Sequence, residues 1–199
     1  VAARKVTGFA TSIIACGCEA DLEGEVENTP DGRPGVAVLL FAATVQQLED
    51  QVVNRVGQCV MTCPTTACFN GLASPHTITV GGKLRFFGDG WQSSKLLGAT
   101  RYWRIPVMEG EFLVAETFGY CTDAGDGNFL ILGENSRDTL TAAEAAVKAM
   151  RQVPGIILPF PGGIVRSGSK VGSRYKFLKA STFTSFCPTL RGQVESLLP

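Results

Sequence analysis

Cys59, Cys63 and Cys68 follow one another at intervals that approach those of cluster and zinc ligands. The intervals fail in detail. Radical-forming iron–sulfur sites use C-x3-C-x2-C so that three thiolates converge on one cluster, and structural zinc takes C-x2-4-C pairs with two further ligands. Here the second interval is four residues and Pro64 interrupts the run. Cys16, Cys18, Cys121 and Cys187 stand apart, so all seven cysteines read as small buried core residues. His76 is the only histidine and sits in the loop Ser74-Pro-His76. One histidine cannot build a two-histidine zinc site, and no G-x-S-x-G or comparable nucleophile setting accompanies it.

The Gly/Ser-rich segment from Phe160 to Ser173 offers more. Gly163-x4-Gly168 followed by Ser169 and Lys170 is one residue out of register with a phosphate loop, in which Lys directly follows the second Gly. Successive Gly and Ser N–H groups, the hydroxyls of Ser167 and Ser169, Lys170 and Arg166 can still form a concavity for a carboxylate or phosphate. The plainer alternative is a solvated turn whose glycines satisfy backbone geometry. Thr62 to Asn70 gathers three hydroxyls, those of Thr65 and Thr66 among them, with the Asn70 amide and neighbouring Gln58. Such residues after a helix also serve turns. Asp89 and Glu109 are single carboxylates at strand ends, where a structural turn role competes with chemistry.

These residues need elements to hold them. Residues 1 to 8 read as the tail of a helix closed by Gly8, and Thr11 to Cys16 as a short strand. Thr29-Pro-Asp-Gly-Arg-Pro-Gly35 is a turn, with a strand from Val36 to Phe41. Thr44-Val-Gln-Gln47 has capping-box form, and Val45, Leu48, Val52, Val56 and Cys59 recur at helical spacing. Gly81 to Phe87 reads as a strand, completing helix, strand, strand, helix, strand: a βαββαβ unit without its first strand. A hairpin follows, Arg101–Val107 and Glu111–Phe118 through Met108-Glu-Gly110, with Trp103, Ile105 and Val107 on one face. Further strands are expected at Asn128–Leu132, Ile156–Leu158 and Arg174–Leu178. Thr141-Ala-Ala-Glu144 is a second capping box, opening an Ala-rich helix that Pro154-Gly155 stops. The expected architecture is α+β in two lobes, residues 1–92 and 93–199, the second cut short.

Eighteen Lys and Arg against eighteen Asp and Glu leave no electrostatic footprint for nucleic acid or an anionic membrane surface. The longest apolar run, Val36 to Ala43, is far below the ~20 residues of a spanning helix. No secretory signal is visible and the odd cysteine count argues for a reducing compartment, which points to the cytoplasm. The missing initiator Met and the helical start suggest an internal fragment.

The sequence resembles the formylmethanofuran:tetrahydromethanopterin formyltransferases. The resemblance runs through Thr7–Ser12, Thr29–Gly35, Gly57–Cys59, Pro64–Ala67, Phe69–Leu72, Phe86–Gly90, Ile105–Pro106, Met108–Gly110, Gly127–Phe129, Leu140–Val147, Pro159–Val165, Ser167–Lys170, Tyr175–Ala180 and Phe186–Pro188. It implies two ferredoxin-like lobes, the first lacking its N-terminal strand and the second truncated, in a soluble homo-oligomer, commonly a tetramer. It implies no metal or permanently bound cofactor, with methanofuran and tetrahydromethanopterin as coenzyme substrates, and in bacteria a formyltransferase/hydrolase complex. The neutral charge and the cysteines lean toward that bacterial branch. An amine attacking a formamide needs an acid/base group, oxyanion donors and exclusion of water. On that basis Ser167, Gly168, Ser169 and Lys170 are expected at a coenzyme anion or oxyanion, and Gln58, Thr65, Thr66 and Asn70 near the cleft. Glu109 and Asp89 are the acid/base expectations. Two other readings remain: a non-catalytic structural subunit of a hydrolase assembly, and a direct formamide hydrolase.

Overall fold

Glu19, Asp21, Glu23 and Glu25 alternate with Ala20, Leu22, Gly24 and Val26, the period of a strand with two different faces. In the computed structural model, which describes residues 1–7, 17–123, 127–166, 169–178 and 180–198, that alternation is a strand. Helix α1 (Ala2–Thr7) precedes it, and β1 (Glu19–Val26) pairs antiparallel with β2 (Gly35–Phe41) from Glu19 opposite Phe41 to Val26 opposite Gly35. Gly8 and the strand expected at 11–16 lie outside the described residues. The expected turn is present: the Gly32 N–H donates to the Thr29 carbonyl at 2.8 Å, with Gly32 at φ +77°.

Thr44 caps α2 (Val45–Arg55), its hydroxyl accepting from the Gln47 N–H at 3.2 Å. The helix continues as one π turn, Val56–Val60. Val52 and Val56 enter the core while Leu48, Val53 and Val60 pack beside them, as the spacing requires. Strands β3 (Ala67–Cys68) and β4 (Thr77–Thr79) follow.

The strand expected at Gly81–Phe87 is instead α3 (Gly81–Leu84) and a 3-10 turn, Arg85–Gly88. The N–H groups of Val80 and Gly82 both donate to the Glu116 carbonyl, at 3.0 and 3.3 Å, and those of Lys83 and Leu84 to the Val80 carbonyl. Gly81 lies so close to Ala115 that a Cβ would stand 2.4 Å from its carbonyl oxygen. Paired glycines thus let the chain coil against a neighbouring strand end, a contact that local alternation does not report.

Strands β5 (Ser93–Leu97), β6 (Thr100–Val107) and β7 (Gly110–Ala115) form, with β3, a four-stranded sheet ordered β3-β7-β6-β5. The expected hairpin is there with a shorter second arm: Glu116 breaks the ladder, donating its N–H to the Arg101 carbonyl at 2.9 Å, and β8 (Thr117–Gly119) pairs with β4 instead. Ile105, Phe112 and Val114 meet Val52, Val56, Ile78 and Val80 in one core.

All of this belongs to one compact unit, the described residues up to 123; those from 127 on form a second. There α4 (Ser136–Met150) starts five residues before the expected capping box, because Asn135 caps it by accepting from the Asp138 N–H at 3.0 Å. Thr141 is interior, its hydroxyl donating to the Arg137 carbonyl. None of the strands expected at 128–132, 156–158 and 174–178 forms; Phe129 and Phe177 are exposed, and an apolar run without a pairing partner does not make a strand. Instead β9 (Ser169–Val171) pairs antiparallel with β10 (Ala180–Thr182). No helix among the described residues is long and apolar enough to cross a membrane.

Candidate functional site

The first unit brings two of the selected residues, Thr65 and Glu109, together at the backbone of Thr65. Thr65 is one of only two non-glycine residues at positive φ among the described residues, at +63°. The Glu109 carboxylate accepts from its N–H at 2.8 Å, and the Arg33 guanidinium donates to its carbonyl oxygen. Arg33 is aimed by the turn that carries it, its Nε and second terminal nitrogen donating to Asp31 Oδ2 at 2.8 and 2.6 Å. Thr29 completes the arrangement, its hydroxyl donating to Asp31 Oδ1 at 2.5 Å. Withdrawal from water raises the Asp31 pKa, but hydrogen bonds from Arg33 and Thr29, with the Arg33 charge, outweigh it and hold the carboxyl below its usual range. The lowered folded value means that the contribution of Asp31 is present above the ordinary carboxylate pKa and is lost as pH falls through the lowered one.

Glu109 reaches Thr65 from the two-residue turn between the paired residues Val107 and Gly110. Asp89, the other residue at positive φ (+51°), ends the 3-10 turn and is exposed. Its carboxylate makes no hydrogen bond or ion pair with the described residues.

Asn70 and Thr66 hold the backbone. The Asn70 side chain donates to the Leu72 carbonyl and accepts from the N–H groups of Leu72 and Gly119, at 3.0, 3.2 and 2.9 Å. The single proton of the Thr66 hydroxyl is shared between the carbonyls of Val60 and Cys63. Gln58 is exposed on the π turn. Sequence reasoning missed Arg33 as a site residue; its signal was the Thr29–Gly35 turn, dense enough to fix a side chain as well as a reversal.

In the second unit, Ser167 and Gly168 lie outside the described residues, as does the side chain of Ser169. Lys170 is half-buried on β9, opposite Ser181, and has no ion pair among the described residues. The preceding glycines do serve backbone geometry: Gly162 and Gly163 are at φ +69° and +78°. An open groove of about 440 Å³ at the start of α4, lined by Glu134, Asn135, Thr139 and Ile164 among others, contains none of the selected residues.

Among the described residues no group of three or more His, Cys, Asp or Glu could hold a metal. Cys68 packs against the core, and burial pushes its thiol up to about 12. Iodoacetamide at pH 8 should therefore modify exposed Cys121 in the native protein and leave Cys68 unlabelled. Peptide mass spectrometry reads this directly, and comparable labelling of both would mean that the Cys68 thiol meets solvent.

A family model described as formylmethanofuran-tetrahydromethanopterin formyltransferase matches residues 1–107, and one described as its proximal lobe matches residues 110–199. A formylmethanofuran–tetrahydromethanopterin formyltransferase of Methylococcus capsulatus is 58% identical over 199 residues, covering 99% of this chain and 67% of its own. One of the subunits of the formyltransferase/hydrolase complex of Methylorubrum extorquens is 53% identical over 207 residues, covering 100% and 67%. A crystal structure of the complex from that organism, with methylofuran, superimposes with a TM-score of 0.92 over all of this chain and 67% of the matched one. The chain thus spans about two thirds of the length of these relatives.

Proposed function

The chain belongs to the formylmethanofuran–tetrahydromethanopterin formyltransferase family, and from that premise we propose which of its residues meet the substrates. Its reaction is formyl transfer between the amine of methanofuran and tetrahydromethanopterin, a step of one-carbon metabolism. The observation that carries this is a match at 58% identity running almost end to end through the chain.

The chemistry fixes what the residues must do. The attacking nitrogen forms a bond to the formyl carbon, and the carbonyl oxygen takes up negative charge. The old carbon–nitrogen bond then breaks, and the proton lost by the incoming nitrogen ends on the departing one. Donors to the oxyanion, a carboxylate able to relay that proton, and exclusion of water are the requirements. Lys170, with Ser167, Gly168 and Ser169, contacts an anionic group of the coenzymes or the oxyanion; a half-buried lysine with no ion pair among the described residues supports this. Gln58, from the π turn, and Thr65, from the segment after it, supply polar contacts. Asp89, whose carboxylate has no hydrogen bond or ion pair with the described residues, fits proton relay better than Glu109, whose carboxylate is engaged by Thr65.

For the whole protein the reading extends to two ferredoxin-like lobes, a cytoplasmic homo-oligomer, and association with hydrolase subunits as in the M. extorquens complex. Methanofuran and tetrahydromethanopterin are its coenzyme substrates, with no permanently bound cofactor.

The test is formyl transfer by the full-length protein from formyl-tetrahydromethanopterin to methanofuran. Lys170→Ala should lower kcat/KM by about tenfold, the loss of about 1.4 kcal/mol that one charged contact supplies. Unchanged kinetics would remove Lys170 from the site; wild type that transfers nothing yet binds its partner subunits would favour the scaffold reading.

A further inference from the structure

We propose that Arg33 and Glu109 are positioning residues, which clamp the two polar groups of Thr65 and so hold the 62–70 loop in its working shape. The proposal rests on the reading above that this loop faces the coenzymes. Its basis is convergence. Three turns far apart in sequence, Thr29–Arg33, the segment at Thr65 and the hairpin end at Glu109, meet at a single residue. That residue holds a backbone conformation that a β-branched side chain rarely adopts. Such strain persists only where the surroundings over-determine it.

The surroundings here are specific. A carboxylate accepts from the N–H of Thr65 and a guanidinium donates to its carbonyl, so both hydrogen bonds are charge-assisted. Neither arm is loose. Asp31 receives two Arg33 nitrogens on one oxygen, and Thr29 fixes Asp31 in turn. Glu109 projects from a turn closed by the β6–β7 ladder, whose Ile105 and Phe112 are anchored in the core. Thr66, next in sequence, is tied to Val60 and Cys63, so the clamp sets the path of the chain leaving the π turn. A carboxylate held this way has an acceptor's duty, and a neutral acceptor of the same shape can perform it.

The experiment is a set of variants in the full-length protein, assayed for formyl transfer across pH and for thermal unfolding. Glu109→Ala and Arg33→Ala should each lower kcat/KM by about tenfold, and together by little more than either alone. Glu109→Gln keeps the acceptor, so it should recover activity to within about threefold of wild type, with the pH profile unmoved. Glycine adopts positive φ without help, so whatever Thr65→Gly itself costs, adding Glu109→Ala to it should lower activity by less than about twofold. The proposal is overturned if Glu109→Gln is as damaging as Glu109→Ala and removes a limb of the pH profile, which would make Glu109 the proton relay. It is also overturned if the alanine variants match wild type. Should the wild type show no transfer, the functional reading fails by itself, and the clamp is judged by unfolding alone: Thr65→Gly must shrink the melting-temperature loss caused by Glu109→Ala, and an undiminished loss rejects it.

Discussion

Replacing Phe112 by Ala is expected to destabilise the protein by about 3–5 kcal/mol, the range for truncating a buried aromatic. Phe112 is 2% exposed and sits opposite Ile105 on β6, in a cluster with Val52, Val56, Ile78, Val80 and Val114. The cluster draws its members from α2, the π turn, β4, β6 and β7, so no single element can shift to refill the space. Phe112→Leu keeps most of the volume and should cost less than about 1.5 kcal/mol. Thermal unfolding of the full-length protein separates the two: at about 2–4 °C per kcal/mol for a domain of this size, the Ala variant melts roughly 10 °C lower. Equal melting temperatures for Ala and wild type would mean that the site collapses freely and that the core is not centred there. The loss also reaches function, because Phe112 lies on the strand that begins just after the turn bearing Glu109.

The elements legible in the sequence are those whose signal is local. Thr44 with Gln47 marks the start of α2, and the residues at helical spacing behind it include the core-facing Val52 and Val56. The β6–β7 hairpin is legible because Trp103, Ile105 and Val107 share one face up to a turn closed by Gly110 at φ +147°. The errors fall where a distant partner decides. Gly81–Phe87 alternates like a strand, but its first residue presses on Ala115 and its neighbours bond to Glu116, which no local window contains. The Asn128–Leu132 run is apolar without a partner strand among the described residues. At the candidate site the division is the same. The hydroxyls and amide of 62–70 are visible as a cluster, whereas the partners of this segment, Arg33 and Glu109 on the Thr65 backbone and Gly119 on the Asn70 amide, stand 32, 44 and 49 positions away from the groups they bind. Asn70 in particular reads as a substrate contact by type and as a backbone tie by geometry.

That tie gives a substitution of comparable severity. Gly119→Ala should destabilise the protein by about 3 kcal/mol or more, at the upper end of overpacking costs. A Cβ at Gly119 would stand 2.0 Å from the Leu72 carbonyl oxygen, 3.1 Å from its carbon and 3.2 Å from Ser74 Cβ. Two of those atoms are backbone, so no rotamer change gives room. The segment from 70 to 76 is also fastened on either side of the contact: the Gly119 N–H donates to Asn70 at 2.9 Å, the Ser74 hydroxyl to the Tyr120 carbonyl at 2.6 Å, and the Tyr120 N–H to the His76 carbonyl at 3.0 Å. Making room therefore breaks hydrogen bonds as well as moving chain, and the two costs arise together. Asn70→Ala removes the bonds and adds no atom, so it should cost less, about 1–2 kcal/mol. Urea denaturation of the full-length variants checks the order. Gly119→Ala falling below Asn70→Ala in stability means that close approach holds this loop, whereas the reverse would assign the hold to the Asn70 hydrogen bonds and return its side chain to consideration as a coenzyme contact only through loop shape.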